Sequence, residues 1–276
     1  MARLALVLVG LAGGAAEAAP ETVKFMSRDG KTMLTGYVFR PATTGRFPAI
    51  VMLHGRGGPY SSLKRGTYTA ETLTMRHRMW GQFWAEHGYV AVHVDSFGPR
   101  GFSAGFAKHT YSARPGEVSE QRVRPLDAYG ALDYLRTRDD VAPERIGVQG
   151  WSNGGMTVLA AVGPDAPGHD PENPGFKAAI AQYPACRVQS KQPDYKPYLP
   201  LLVFSATDDD EVSPWVCRQF AEDVKARGGD IGFVLYEGAQ HSYDDPGKRK
   251  QSHEPNRAAL VDTQQRAAAF FEQHLR

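Results

Sequence analysis

The sequence has few cysteines, little excess charge and no internal repeat. Only two of its 276 residues are cysteine, and 32 basic residues nearly balance 30 acidic ones, for a net charge of +2. The absence of a Gly-X-Y period excludes a collagen-like fibre, and a hydrophobic content of 42% excludes a disordered low-complexity chain. The balanced charge provides no strong field for nucleic acid, so no nucleic-acid partner is expected. A chain of this length and composition is expected to bury a large hydrophobic core.

The only long apolar run lies at the N-terminus. Arg3 precedes an apolar run at 4–12, and small residues follow as far as Ala18. This order is typical of a secretory signal peptide, whereas a membrane anchor needs about 20 apolar residues. We therefore expect a signal peptide over 1–18 and a single domain over 19–276. The protein is expected to be secreted or periplasmic, without stable insertion into a membrane.

The two cysteines are interpreted in the light of this predicted export. Cys186 and Cys217 form an even number in an oxidising compartment, which makes one disulfide plausible. The alternative is a pair of buried free thiols. No histidine flanks either cysteine at ligand spacing, so no metal site is expected.

Strand-like and helix-like patterns alternate along the rest of the chain. Predicted strands lie at 22–27, 32–40, 48–54, 89–94, 145–149, 176–183, 200–205 and 231–236. Predicted helices lie at 79–87, from 125 onwards, and at 156–162, 214–227 and 256–275. Several strands are apolar throughout, which is typical of strands buried on both faces of a parallel sheet. The alternation predicts an α/β fold with a mostly parallel central sheet and helices on both faces.

Two long segments, at 55–75 and 96–118, lack a regular pattern. Each follows a buried strand and is rich in Gly, Ser, Tyr and Arg. Open α/β sheets bind their ligands beyond the ends of such strands, so these loops are expected to cover the site. Only about 17 residues separate the strand ending at Tyr183 from Pro200, which leaves no room there for a large cap domain.

A candidate nucleophile lies between a predicted strand and a predicted helix. Gly150-Trp-Ser152-Asn-Gly154 fits the pattern G-x-S-x-G, in which flanking glycines permit a tight turn. The alternative is a serine that caps the following helix. The strand before it and the helix after it favour Ser152 as the nucleophile of a hydrolase.

A serine hydroxyl needs a base and an orienting acid, each beyond a later strand. His241 follows the last predicted strand and is the candidate base, whereas His169, His253 and His274 are interpreted as surface residues. The acid must come from three consecutive aspartates at 208–210, of which only one can face the imidazole.

At these residues the chain resembles the dienelactone hydrolase family of α/β-hydrolases. The resemblance is carried by the strand that starts at Pro200, the acidic turn at 208–212 and the Tyr-x-Gly-Ala-x-His run ending at His241. Counted along the family pattern, it implies Asp209 as the acid, with Asp208 as the second choice. It covers nearly all of the mature chain and implies an α/β-hydrolase fold.

Other positions extend the resemblance. The run 54–58 is similar to the oxyanion loop of the family, and 94–101 resembles one of its branches. A cysteine pair in that branch is similar to Cys186 and Cys217, which supports the disulfide. The enzymes that gave the family its name carry cysteine as nucleophile, whereas this chain has Ser152. We therefore expect an ester or lactone substrate rather than dienelactone itself.

Acyl transfer requires backbone N–H groups that face the developing oxyanion. The residue after the nucleophile supplies one donor, so Asn153 is the first candidate. Arg56 is the second candidate, with Gly55 close behind, and His54 is interpreted as a structural residue that holds this loop. Trp151 and Arg100 are candidate substrate contacts, each with a structural role as the alternative.

The sequence therefore predicts a serine hydrolase that cleaves small esters or lactones through an acyl-enzyme, without a cofactor. Two alternatives remain open at this point. The same triad could cleave amides as a peptidase, or the fold could serve as a binding module without catalysis. The sequence does not indicate an oligomeric state.

Overall fold

The computed structural model describes residues 19–276, so the predicted signal peptide lies outside the described residues. Its strands are β1 (Glu21–Met26), β2 (Met33–Phe39), β3 (Phe47–Leu53), β4 (Val90–Asp95), β5 (Val141–Trp151), β6 (Ala179–Gln182), β7 (Leu201–Asp208) and β8 (Ile231–Gln240). Its helices are α1 (Met75–Glu86), α2 (Arg124–Arg136), α3 (Asn153–Ala161), α4 (Pro214–Ala226), α5 (Lys248–Gln251) and α6 (Glu254–Leu275).

The eight strands form one sheet in the order β1-β2-β4-β3-β5-β6-β7-β8. The edge strand β1 is antiparallel to β2, and β2 is antiparallel to β4. The strands from β4 through β3 to β8 are all parallel neighbours. The predicted α/β class with a mostly parallel sheet is confirmed.

The helices cover both faces of the sheet because successive strand residues point to opposite sides. On β3, Val51 belongs to a core that also contains Leu132 of α2 and Val158 of α3. Its neighbour Ile50 belongs to the opposite core, which contains Trp84 of α1. Both faces of the central strands are therefore buried, which explains their continuous apolar sequences.

Several elements extend beyond their predicted ends. Helix α1 begins at Met75 rather than 79, because the Thr74 side chain caps it by accepting a hydrogen bond from the His77 amide. Strand β5 starts at Val141 rather than 145, where it pairs with Phe47 across an irregularity in register. These extensions depend on a cap and on strand pairing, neither of which follows from periodicity.

The two long segments contain short 3₁₀ turns and an isolated bridge between Tyr60 and Leu73. They follow β3 and β4, so they lie beyond the carboxyl ends of the parallel strands, where β5, β7 and β8 also end. That edge of the sheet therefore gathers the loops that carry the candidate site. Within residues 19–276, no helix combines the length and the apolar character that a bilayer crossing requires.

Candidate active site

Ser152 occupies a sharp turn between β5 and α3. Its backbone has φ 53° and ψ −113°, a positive φ that is rare for a residue with a side chain. The flanking glycines are required sterically: a Cβ on Gly154 would collide with the Leu53 carbonyl of β3, and one on Gly150 would collide with the carbonyl of Gly154. The turn therefore holds Ser152 at the end of the sheet, as the G-x-S-x-G pattern predicts.

Ser152, His241 and Asp209 are brought together from the ends of three strands. The hydroxyl oxygen of Ser152 lies 3.0 Å from Nε2 of His241, and Nδ1 of His241 lies 2.7 Å from Oδ2 of Asp209. A carboxylate beside Nδ1 requires that this nitrogen carry the proton, which leaves the Nε2 lone pair free to accept the serine proton. The other oxygen of Asp209 accepts hydrogen bonds from the amides of Glu211 and Val212, at 2.8 and 2.9 Å.

The three consecutive aspartates have different surroundings. The Asp209 side chain is only 1% exposed and faces the imidazole. Asp208 is exposed and accepts a bond from its neighbour Thr207, and Asp210 is exposed and pairs with Lys108 at 2.9 Å. The structure therefore brings Asp209 to His241 and leaves the other two at the surface.

Arg56 and Asn153, the candidate oxyanion donors, lie at the same cavity as Ser152. Asn153 is the first residue of α3, and the first N–H groups of a helix have no acceptor within it. The Arg56 carbonyl accepts a hydrogen bond from the Phe106 amide at 2.8 Å, which fixes the loop that follows β3. That loop passes close to the nucleophile, since a Cβ on Gly55 would lie 3.5 Å from Cβ of Ser152.

The cavity beside Ser152 has a volume of about 300 Å³. It is lined by Arg56, His109, Tyr111, Arg114, Ser152, Asn153, Met156, Ala185, Arg187, Val188, Glu211 and Val212. Apolar side chains thus alternate with several cationic ones. A cavity of this size at the nucleophile suits a small substrate.

Glu211 is a second carboxylate at the site, which the sequence analysis did not single out. It forms two hydrogen bonds to the Arg56 guanidinium, at 2.8 and 3.0 Å, and one of its oxygens lies 3.8 Å from Nε2 of His241. Burial alone would raise the pKa of Glu211, but the hydrogen bond from Arg56 and the nearby His241 outweigh it and lower the pKa to about 2. Glu211 is therefore ionised and links the loop of the candidate oxyanion donor Arg56 to the loop of the candidate acid Asp209.

Arg114 forms a similar link from the segment 96–118. Its guanidinium donates hydrogen bonds of 2.8 Å to Glu120 and to the side-chain oxygen of Asn153. The loop residue Arg114 thus contacts Asn153, the residue next to Ser152. No periodic pattern marks this loop, so the sequence contains no signal that would have identified the contact.

Trp151 and Arg100, predicted as substrate contacts, are not among the residues that line the cavity. Trp151 is fully buried and donates its indole N–H to Asp244 at 2.8 Å. Arg100 is almost buried and pairs with Asp127 and Asp29, at 2.8 and 2.9 Å. Both side chains have structural partners, which agrees with the structural alternative that the sequence left open for each of them.

His54 is fully buried and contacts the loop at 54–58 that contains the candidate donor Arg56. Its Nδ1 lies 2.7 Å from the carbonyl oxygen of Gly55, and its Nε2 accepts a hydrogen bond of 3.2 Å from the Ser96 amide. Burial is the main cause that lowers the pKa of His54 well below its usual range, with Arg124 adding to it. The imidazole is therefore neutral and joins the loops that follow β3 and β4.

The structure contains the disulfide between Cys186 and Cys217. Cys186 lies among the cavity-lining residues Ala185, Arg187 and Val188, and Cys217 belongs to α4. The bond therefore fastens one wall of the cavity to the helix that follows the acid loop. Across residues 19–276, no three His, Cys, Asp or Glu side chains are grouped so that they could hold a metal ion.

Comparison with known proteins places the chain in a family. The profile of the dienelactone hydrolase family matches residues 34–275. The quorum-quenching protein AidA of Acinetobacter baumannii is 29% identical over 171 residues, covering 60% of this chain and 48% of that protein. The chain thus spans about half the length of this curated relative.

Two further proteins are similar over more of their length. A probable 2-oxo-3-(5-oxofuran-2-ylidene)propanoate lactonase of a Bradyrhizobium species is 23% identical over 220 residues, covering 75% of this chain and 77% of that protein. The butyrate-bound esterase Est2 of Thermogutta terrifontis superposes with a TM-score of 0.64 at 22% identity, covering 92% of this chain and 94% of that one. At this identity the structural match supports the fold.

Proposed function

The chain belongs to the dienelactone hydrolase family, and on this basis we propose that it is a serine hydrolase that cleaves small carboxylic esters or lactones through an acyl-enzyme. The observation that carries the proposal is the chain of hydrogen bonds from Ser152 through His241 to Asp209, at 3.0 and 2.7 Å, beside a cavity of about 300 Å³. This arrangement of nucleophile, base and buried acid is what acyl transfer requires.

In the proposed reaction, the Ser152 oxygen bonds to the carbonyl carbon of the substrate while Nε2 of His241 takes the serine proton. The carbonyl oxygen becomes an oxyanion that accepts hydrogen bonds from the amides of Asn153 and Arg56. Collapse of this intermediate breaks the bond to the leaving oxygen, to which His241 returns the proton. Water then attacks the acyl-enzyme by the same route and releases the acid, while Asp209 stabilises the imidazolium at each step.

The charges on the cavity wall favour a substrate that itself carries a carboxylate. Arg56 pairs with Glu211, and Arg114 pairs with Glu120, whereas Arg187 is exposed at the cavity. A carboxylate on the substrate would provide Arg187 with a charged partner. The lactonase relative is named for a substrate that ends in a propanoate group, which agrees with this second, narrower proposal.

We also propose that the protein acts outside the cytoplasm, in a secreted or periplasmic location. The support is the disulfide between Cys186 and Cys217, since such bonds persist in oxidising compartments.

Labelling with a fluorophosphonate probe tests the nucleophile. We expect the wild-type protein to be labelled and to hydrolyse p-nitrophenyl acetate, and Ser152→Ala to do neither while remaining folded by circular dichroism. Absence of labelling on folded wild-type protein would indicate a binding module. Faster cleavage of peptide p-nitroanilides than of p-nitrophenyl esters would indicate a peptidase.

A matched pair of esters tests the charge preference. We expect the ratio of kcat/KM for p-nitrophenyl hemiglutarate to that for p-nitrophenyl valerate to fall roughly fivefold in Arg187→Gln, which corresponds to an exposed ion pair. Lys191→Gln, which removes the same charge from the same loop away from the cavity lining, should leave the ratio unchanged. An unchanged ratio in Arg187→Gln would contradict recognition of a carboxylate by this side chain.

A further inference from the structure

A second buried carboxylate lies behind the candidate triad. Asp244 follows the base His241 by three residues and is fully buried. One of its oxygens accepts hydrogen bonds from the indole N–H groups of Trp80 and Trp151, both at 2.8 Å, and the other accepts one from the Tyr183 hydroxyl at 2.5 Å. Such a buried carboxyl group depends on its donors, because each hydrogen bond lost leaves one of its oxygens without a partner in the interior.

The bond to Trp151 connects Asp244 to the nucleophile. Trp151 is the last residue of β5 and is covalently joined to Ser152. The Ser152 amide in turn donates to the carbonyl of Gln182 at the end of β6, at 2.9 Å. The positive φ of Ser152 leaves this turn dependent on such surrounding contacts, since the backbone is strained there.

The bond to Tyr183 connects Asp244 to the base. The Tyr183 ring lies edge-on to the His241 imidazole, with 4.8 Å between centroids, and its backbone also has a positive φ of 36°. Burial raises the pKa of Tyr183 well above its usual range, so its hydroxyl is protonated and donates to Asp244. Arg76 donates to the same hydroxyl oxygen at 3.1 Å, which fixes its direction.

We propose that Asp244 is a positioning residue that holds Ser152 and His241 at reacting distance, by binding Trp151 on one side and Tyr183 on the other. This inference rests on the proposed hydrolase function. The backbone of 241–244 provides a further connection between Asp244 and His241, because both residues belong to one loop, in which Ser242 has a positive φ of 58°. Movement of any one of these parts would lengthen the Ser152–His241 hydrogen bond, and displacements near 1 Å reduce rates by up to about 100-fold.

Two conservative variants separate positioning from general stability. Trp151→Phe and Tyr183→Phe each remove one donor to Asp244; Tyr183→Phe keeps the same ring, whereas Trp151→Phe replaces the indole with a smaller phenyl ring. Trp84→Phe is the matched control: it also removes a buried indole N–H, which donates to Gln149 at 2.7 Å and has no bond to Asp244. Each protein is measured for kcat and KM with p-nitrophenyl acetate, for the second-order rate of fluorophosphonate labelling, and for Tm.

We expect Trp151→Phe and Tyr183→Phe to lower kcat and the labelling rate at least roughly tenfold, with KM within about twofold of wild type. The double variant should lose less than the product of the two single losses, because both donors act through one carboxylate. Trp84→Phe should lower Tm and retain kcat.

The inference is overturned if Trp151→Phe and Tyr183→Phe keep wild-type kcat, or if Trp84→Phe loses kcat to the same extent. Should one of the two variants fail to fold, the other alone decides the result. Failure of the proposed function is separate, because it would appear as wild-type protein that neither reacts with the probe nor hydrolyses the ester.

Discussion

Three buried histidines should make the protein sensitive to mild acid. His54, His77 and His93 are fully buried, and burial is the main cause that lowers each pKa, to about 3 for His93. Within residues 19–276, neither ring nitrogen of His93 has a hydrogen-bond partner, and its ring lies 4.1 Å from that of His77. The positive charge of the nearby Arg76 also lowers the pKa of His93.

The sign and size of the effect follow from linkage. In the unfolded chain a histidine takes up a proton near pH 6.5, whereas in the folded protein His93 stays neutral until about pH 3. Its contribution to stability is therefore complete above pH 6.5 and is lost as the pH falls below that value. For His93 alone, the loss between pH 7 and pH 5 is about 2 kcal/mol. The lowered pKa values of His54 and His77 act in the same direction and add to this loss. A typical free energy of unfolding is roughly 5–15 kcal/mol, so the loss from His93 alone is already a sizeable part of it.

Urea denaturation at pH 7, 6 and 5 measures this effect. We expect the wild-type free energy of unfolding to fall by at least about 2 kcal/mol over this range, and that of His93→Phe to fall by about 2 kcal/mol less than that of the wild type. The carboxylates contribute equally to the pH dependence of both proteins, so their contribution cancels when the two pH slopes are compared. A pH slope in His93→Phe equal to that of the wild type would refute the assignment of a depressed pKa to His93.

Two further changes test the acid and the disulfide. Asp209→Asn should lower kcat for ester hydrolysis by roughly 10⁴-fold, because the amide favours the wrong imidazole tautomer, whereas Asp208→Asn should retain activity. Equal losses of kcat in the two variants would contradict the assignment of Asp209 as the acid. Replacing Cys186 and Cys217 by alanine opens a link across 31 residues of sequence, for which loop entropy predicts a loss of about 4 kcal/mol. Urea denaturation measures this loss, and a change below about 1 kcal/mol would contradict it.

Much of the fold could be predicted because its signals are local. The apolar run that ends at Leu53 is readable as a strand buried on both faces, since helices pack on both sides of the sheet there. The turn at Ser152 is readable because glycines must flank it, and the structure shows which carbonyls a side chain at Gly150 or Gly154 would meet. Element ends were less predictable, as at Met75, because they depend on caps and pairing.

The candidate triad shows where local signals end. The resemblance to the family implied Asp209, but the residues alone left three aspartates equivalent. The structure separates them by burial, since the Asp209 side chain is 1% exposed and Asp208 faces solvent. Trp151 shows the same limit, because its position beside Ser152 in the sequence does not determine on which side of the strand its side chain lies.

The sequence by itself determined the alternation of strands and helices, the turn at Ser152 and the place of the candidate base His241 after the last strand. These features depend on short-range sterics and periodicity, which neighbouring residues express directly. Only the tertiary structure decided that Glu211 pairs with Arg56, which lies 155 residues away in the chain, and that it also lies close to His241. The tertiary structure alone likewise decided that Asp244 lies behind the candidate triad. Such contacts join residues far apart in the chain, and they arise only when parallel strands place their carboxyl ends at one edge of the sheet.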